Sequence, residues 1–278
     1  MNPLETYANR LDTVNAQNRR IYGPAPSGDP WAGPAARQFR FDPHREIGDN
    51  LAVIASYVGP GDVVVDVGGG AGRVCLPLAL KCQQVVNVEP SPAMAAEFES
   101  LTQEAGITNA RLVPSSLSQA QELRGAISFS ADVTYFVGDI ASFISQLETV
   151  AARRVMITVW SEPPPNRRAK LFRLVYGEEQ AVLPGHRQLL PVLWDMGILP
   201  DVLVLPESPW WEEQTPPTRE QAVQMILEDR WLKPEDRQRA RSLIESHFDE
   251  LFAPSKSGFL PQWRTEMREL LITWETRV

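Results

Sequence analysis

The sequence predicts an α/β fold: a doubly wound, mostly parallel seven-stranded sheet with helices on both faces, an N-terminal helical cap and a helical insertion before the last strand. Three observations predict it. Short β-branched runs alternate with helix-period segments from residue 46 to 160. The first run, Val63-Val64-Val65-Asp66-Val67, is almost continuously apolar, as a parallel strand covered on both faces requires. It opens at once into a glycine loop followed by another helical segment. Right-handed crossovers then bring every strand-to-helix loop to one edge of the sheet, where ligands bind in such folds.

Taken in order, Leu4, Tyr7, Ala8, Leu11 and Val14 recur at helical spacing and predict a helix over 1–20. Gly23-Pro24 through Gly33-Pro34 is turn-rich and is followed by the aromatics Phe39 and Phe41. Ile47, Leu51, Ile54, Ala55 and Val58 predict a helix over 46–58, stopped by Gly59-Pro60-Gly61. After strand 63–67 come a helix near 71–81, a strand at 85–88, and a helix over 92–105 with Ser91 as N-cap and Pro92 in the first turn. Strands at 111–113 and 127–130, a helix over 139–151 and a strand at 155–160 complete the alternation. Pro163-Pro164-Pro165 ends it. Helices near 166–180 and 187–196, a strand at 202–205, a helical stretch from Thr218 to Phe252 broken by Pro234, and a last strand at 269–274 follow. The expected organisation is a cap segment at 1–45 and one domain at 46–278, with insertions at about 163–198 and 212–262.

Composition narrows the function classes. With 43% hydrophobic and 22% charged residues, the chain can bury a core and is not of the disordered type. Its net charge of -8 and pI of about 5.1 lack the basic footprint that phosphate contacts demand, so no nucleic-acid partner is expected. Cys75 and Cys82 fit no metal-ligand pattern and read as small buried hydrophobes in a reducing compartment. No apolar run approaches the roughly 18 residues of a membrane span and no apolar core follows the N-terminal charges, so a cytoplasmic protein is expected. His44, His186 and His247 are far apart in sequence, and no metal is expected.

The central motif is Asp66-Val67-Gly68-Gly69-Gly70-Ala71-Gly72-Arg73. Glycines after a strand admit close approach of a ligand to backbone, and the following helix start offers free N–H groups. A dinucleotide fingerprint counted from Gly68 and Gly70 wants its third glycine at 73, where the chain has Arg73; the third glycine stands at 72. Glu89, 21 residues after Gly68, ends the second strand, where an acid can accept two hydrogen bonds from a ribose diol. Dinucleotide enzymes place an acid there too.

The D-x-G-x-G-x-G pattern resembles the first motif of class I, Rossmann-like S-adenosylmethionine-dependent methyltransferases of the small-molecule type. The resemblance is carried further by Glu89-Pro90-Ser91-Pro92-Ala93-Met94, an acid followed by Ser and then Met. It implies S-adenosyl-L-methionine as cofactor and S-adenosyl-L-homocysteine as product, bound by Asp66, Gly68, Gly69, Gly70, Gly72, Glu89 and Pro90. Met94 would lie against the adenine, or else serve only as core filler. Asp66 would lie near the methionine amino group. Arg40, in the segment before the domain, is a candidate for the methionine carboxylate, and His44 for a cover over the cofactor; a solvated loop is the other reading of both.

The chain departs from the family in two places. Where an acid commonly bonds the adenine amino group, Pro114-Ser115-Ser116 offers hydroxyls, so Ser115 or Ser116 would take that place. The fourth-motif segment, Ser128 to Val137, lacks its usual leading acid near Ala126. That segment puts Asp132 and Tyr135 at the sheet edge as candidates for lining the transfer site, the alternative being a structural loop. No Asn-Pro-Pro-Tyr or Asp-Pro-Pro-Tyr box occurs, which disfavours nucleic-acid amine methylation.

The expected function is methyl transfer to an oxygen, nitrogen or carbon of a small molecule. A nicotinamide-dependent oxidoreductase and a non-catalytic cofactor-binding module are the alternatives. Trp31, Trp194, Trp210, Trp211 and Trp231 would wall an acceptor pocket, pack internally or form a homodimer face.

Overall fold

The structure, a computed structural model, describes residues 2–24, 27–120, 122–207, 215–229 and 231–276. Trp210 and Trp211 lie outside the described residues. The chain opens with α1 (Pro3–Tyr22) and the short α2 (Pro34–Arg37) and α3 (Asp49–Ala55). Then come β1 (Val63–Val67), α4 (Cys75–Ala79), β2 (Gln84–Val88), α5 (Pro92–Glu104), β3 (Ala110–Val113), β4 (Gly125–Ala131), α6 (Ile140–Val150) and β5 (Ala151–Trp160). The remainder holds α7 (Ala169–Tyr176), α8 (His186–Asp195), β6 (Asp201–Val204), α9 (Arg219–Leu227), α10 (Arg237–Ser246), α11 (Phe248–Leu251), the hairpin β7 (Phe252–Ser255) and β8 (Gly258–Pro261), and β9 (Glu269–Glu275).

Seven strands form one sheet in the order β3-β2-β1-β4-β5-β9-β6. Pairing is parallel from β3 to β5, and β9 runs antiparallel between β5 and β6. The sheet is thus mostly parallel with helices around it, as expected. The continuous apolar run of β1 serves two cores at once: Val65 and Val67 face a cluster with α1, α6 and α8, while Val64 faces one with α3, α4 and α5. β5 divides the same way, with Val155, Ile157 and Val159 on one side and Met156 on the other. A residue such as Val64, fully buried, contributes about 1.5–3 kcal/mol by leaving water. The antiparallel β9 has a consequence for the site. Its first residue, Glu269, pairs with Trp160, the last of β5, so an acid from the chain's end reaches the edge that carries the strand-to-helix loops.

Three elements differ from expectation. α4 begins at Cys75 rather than near 71, because Gly72 adopts φ +89° and Pro77, lacking an N–H, is tolerated only in a first turn. α3 begins at Asp49 rather than 46; its first N–H groups are taken by the Glu207 carboxylate, with Asp49 N at 2.8 Å and Asn50 N at 3.3 Å. The insertion before the last strand is not wholly helical, since it ends in the β7–β8 hairpin. α7 packs with α9, α10 and α11 in a third cluster around Phe172, Trp231 and Phe248, whereas α8 packs on the sheet. Among the described residues no helix is long and apolar enough to cross a membrane.

Candidate functional site

The glycine loop leaves β1 with the Gly68 N–H donating to Val88 O at 2.8 Å, which holds it across the end of β2. The third glycine is at 72 for a steric reason. At φ +89°, a Cβ there would lie 2.6 Å from Leu76 Cγ and 2.9 Å from the Phe98 ring, so loop and helix close only on glycine. Arg73 is no substitute for a glycine at a dinucleotide turn. Its side chain leaves the loop for Asp132, Nη2 to Oδ2 at 3.4 Å.

Beneath the loop, Asp66 is 1% exposed and Asn87 fully buried. Asn87 donates through Nδ2 to Gly70 O at 2.9 Å. That leaves Asn87 Oδ1 and Asp66 Oδ1 buried with no hydrogen-bond partner. A side chain at Gly69 would collide with Asp66 Oδ2 and Asn87 Oδ1, so the loop closes over these two residues only with glycine there. Two stranded acceptors call for a donor, and an ammonium group meets that need. Burial pushes the Asp66 carboxyl up to about 7; a hydrogen bond from the Cys75 thiol opposes the rise and the nearby Glu89 adds to it. Cys75 is therefore a partner of Asp66 as well as core, a relation that only the packing of α4 on β1 reveals.

Glu89 follows β2, 6% exposed. Its Oε2 accepts from Gly70 N at 3.0 Å and its Oε1 from Ser91 N at 2.7 Å. Burial raises its pKa, and these two bonds oppose the rise. A carboxylate has about four acceptor positions, so two remain for a diol. Pro90 is exposed. Ser91 caps α5 through Met94 N at 3.1 Å, and Met94 Sδ lies beside Gly70 while its side chain joins the core. Both readings of Met94 are thus compatible with its position. Ser115 Oγ is buried without a partner, whereas Ser116 Oγ bonds Ser118 Oγ and Gln119 Oε1, each at 3.1 Å. Of the two hydroxyls, Ser115 is the one left for a ligand.

Asp29 was not expected here. Its carboxylate accepts from Ser91 Oγ at 2.8 Å, Ala93 N at 2.8 Å and Trp31 N at 2.9 Å, fastening the N-terminal segment onto the start of α5 beside Glu89. Its sequence signal, an Asp two residues before Trp31 in a proline-rich loop, says nothing about α5. Asp29→Ala should lower the melting temperature by about 2–6 °C, consistent with roughly 1–2 kcal/mol for a lost cap, as measured by circular dichroism. An unchanged transition would show that the segment is held by other contacts.

At the next loop along the edge, Asp132 adopts φ +61°, a left-handed conformation rarely taken outside glycine and held by its surroundings. Its carboxylate accepts from Tyr135 OH at 3.2 Å and Trp160 Nε1 at 3.3 Å and faces Arg73. Burial pushes it up to about 6, with Arg73 lowering and Glu269 raising it. Tyr135 is 1% exposed, and its hydroxyl also accepts from Trp160 N. Its pKa is driven well above 10 by burial and by Asp132. Tyr135 is therefore placed to position Asp132 and does not present an open face to a ligand. A cavity of about 170 Å³ adjoins this group, lined among others by Phe41, Arg45, Asn50, Arg73, Trp160 and Glu269. Arg45 donates to Arg73 O at 2.7 Å and to Asp42 O at 2.9 Å.

The structure does not bring Arg40 or His44 to the loop. Arg40 is engaged by Glu97 at 2.5 Å and Glu104 at 2.7 Å on α5, and His44 Nε2 meets Ala105 O at 2.9 Å at the carboxyl end of that helix. The segment runs along α5 because that helix presents acids and free carbonyls to it. Trp231 is buried in the third cluster, Trp194 is 56% exposed on α8, and Trp31 packs edge-on against Phe39. The tryptophan that lines the cavity beside Asp132 among the described residues is Trp160. Among the described residues no group of three or more His, Cys, Asp or Glu side chains is arranged to hold a metal ion.

Residues 65–154 match the family described as "Methyltransferase domain". Among curated proteins no match is found. In fold the chain is similar to the YcgJ protein from Bacillus subtilis, at 12% identity over 82% of this chain and 98% of that one, with a TM-score of 0.55. It is similar to a SAM-dependent methyltransferase from Thiobacillus denitrificans in complex with S-adenosyl-L-homocysteine, at 12% identity over 84% and 95%, TM-score 0.52. A SAM-dependent methyltransferase from Geobacter sulfurreducens, in complex with the same product, matches at 14% identity over 96% and 98%, TM-score 0.51. The family match runs from within β1 to within β5 and so includes the glycine loop, Glu89 and Asp132. The match at residues 65–154 is thus to a methyltransferase domain, and the sheet order and glycine loop give the chain the Rossmann-like fold of these solved methyltransferases.

Proposed function

We propose that the chain catalyses methyl transfer to an oxygen, nitrogen or carbon nucleophile of a small molecule held beside Asp132. The observation that carries this reading is the juxtaposition of two ligand-hungry features on one sheet edge. The stranded oxygens of Asp66 and Asn87 lie under the glycine loop, and the polarised Asp132 stands on the next loop, joined to the first by Arg73. When bound, S-adenosylmethionine supplies a methyl group made electrophilic by its sulfonium.

The chain's own residues do the rest. Asp66 and Asn87 accept from the cofactor's amino group, Glu89 from its ribose hydroxyls, and Ser115 stands on the adenine side. Arg45 and Arg73, rather than Arg40, are the cations adjoining the loop and take the carboxylate. A displacement of this kind depends chiefly on alignment and on a desolvated nucleophile. The cavity beside Trp160 is small, and an acidic protein does not attract polyanions, which supports a small acceptor.

Asp132, ionised above about 6, is the group placed to accept a proton from the acceptor. Once an acceptor is found by screening with radiolabelled methyl donor, kcat/KM should rise with pH through about 6 and level off above it. Asp132→Asn should remove that rising limb and lower kcat by about 10²–10⁴-fold. A profile unchanged in the variant would mean that the acceptor needs no base. Absence of turnover with every acceptor class, in protein that binds the cofactor, would overturn the catalytic reading.

A further inference from the structure

A second cavity, of about 200 Å³, opens at the same sheet edge on the α1 side. Leu11 and Val14 of α1, Phe136 after β4, and Arg168, Gln180 and Leu183 after β5 line it. Much of this wall is apolar, yet two polar atoms in it are stranded. Arg168 Nε is buried and has no hydrogen-bond partner among the described residues. The carboxylate paired with Arg168, that of Asp229, stands 4.0 Å from Nη1, too far for a hydrogen bond. Gln180 donates from Nε2 to Pro165 O at 3.0 Å, which orients its amide and leaves Oε1 buried and unpaired. A buried guanidinium N–H without an acceptor is costly for the protein alone and is relieved by an anion.

The cavity's wall is in contact with the transfer edge through Tyr135. Phe136 is 60% exposed, and its ring packs edge-on against Tyr135 with 6.0 Å between centroids. The Tyr135 hydroxyl in turn bonds Asp132. At about 200 Å³ the space is smaller than the roughly 300–1,000 Å³ of a whole ligand pocket, so it suits one end of a molecule. A guanidinium edge presents two parallel N–H groups, which match the two oxygens of a carboxylate. A single guanidinium, with the Asp229 carboxylate 4.0 Å away, can counter one negative charge at most and not the double charge of a phosphate.

The geometry points to a carboxylate subsite for the methyl acceptor: a small carboxylic acid whose anionic end meets Arg168 and whose apolar body lies against Leu11, Val14, Leu183 and Phe136. This rests on the methyltransferase reading, which makes the occupant of that edge an acceptor. Calorimetric titration of the full chain, with and without saturating S-adenosylhomocysteine, tests it with 3-phenylpropionate and its uncharged isostere 3-phenylpropanamide.

The carboxylate should bind at least tenfold more tightly than the amide. Arg168→Met should abolish that preference, and Asn18→Trp, on the exposed rim of α1, should weaken both probes by filling the mouth. Affinity for S-adenosylhomocysteine should stay within twofold of the parent in both variants. Equal binding of the two probes, an undiminished preference in Arg168→Met, or no probe binding by protein that binds S-adenosylhomocysteine would overturn the subsite. Failure to bind S-adenosylhomocysteine would instead overturn the cofactor reading, and the titrations without it would still decide whether Arg168 recognises a carboxylate.

Discussion

Replacing Asp66 by asparagine is expected to raise the melting temperature of the ligand-free protein at pH 8 while abolishing its affinity for S-adenosylhomocysteine. The sign follows from burial. In the folded chain the Asp66 carboxyl is pushed up to about 7, well above the roughly 3.9 of an unfolded aspartate. Between those values the folded state holds more protons than the unfolded one, so stability falls as pH rises from about 4 and the loss is complete above about 7. Asparagine has no charge to desolvate. The gain at pH 8 is bounded by about 4 kcal/mol, and about 1–3 kcal/mol, or roughly 2–8 °C, is expected once relaxation is allowed for. Near pH 4 the two proteins should melt together. Thermal unfolding at the two pH values, with calorimetry for the ligand, checks both halves. A variant less stable than the parent at pH 8 would show that Asp66 is held by partners in the folded chain and is not waiting for one.

The second large effect belongs to Glu89. Glu89→Ala should weaken S-adenosylhomocysteine by at least about 100-fold, since two hydrogen bonds to a carboxylate are lost at about 1.5–3 kcal/mol each. The substitution also strips Gly70 N and Ser91 N of their acceptor, so some melting temperature should go with it. Glu89→Gln separates the two effects. It restores an acceptor for one of the two backbone N–H groups and sets an NH2 donor against the other, so stability should return only in part, while the diol loses half of its acceptor surface and affinity does not return. Recovery of affinity in Glu89→Gln, measured by calorimetry, would assign Glu89 to loop architecture alone.

Asp66 and Glu89 also show how far local pattern reaches. Both ends of the first two strands were legible, because a strand buried on two faces must be a continuous apolar run and an acid that ends such a run stands out. The same holds for Gly72, whose place one residue short of the dinucleotide position departs from that fingerprint by spacing alone. Arg40 shows the opposite. A cation in the right stretch of sequence was a reasonable partner for a carboxylate, but α5 offered it Glu97 and Glu104 at a helical spacing that the N-terminal segment runs along. One cation on that segment and one on the loop, Arg45 and Arg73, adjoin the site instead.

What the sequence determined by itself was the alternation of strands and helices, hence the parallel sheet, its loop-bearing edge, and the glycine loop with Asp66 and Glu89 upon it. These depend on period, on the conformational range of glycine and on neighbours within some twenty residues. What only the tertiary structure decided was everything brought in from afar. Asp29 seals α5, Glu207 caps α3, Glu269 arrives at the edge by antiparallel pairing, and Arg168 and Gln180 are stranded in a wall they share with α1. A charged side chain's partner is set by which backbone or carboxylate packing leaves unsatisfied nearby, and that is a property of the assembled chain.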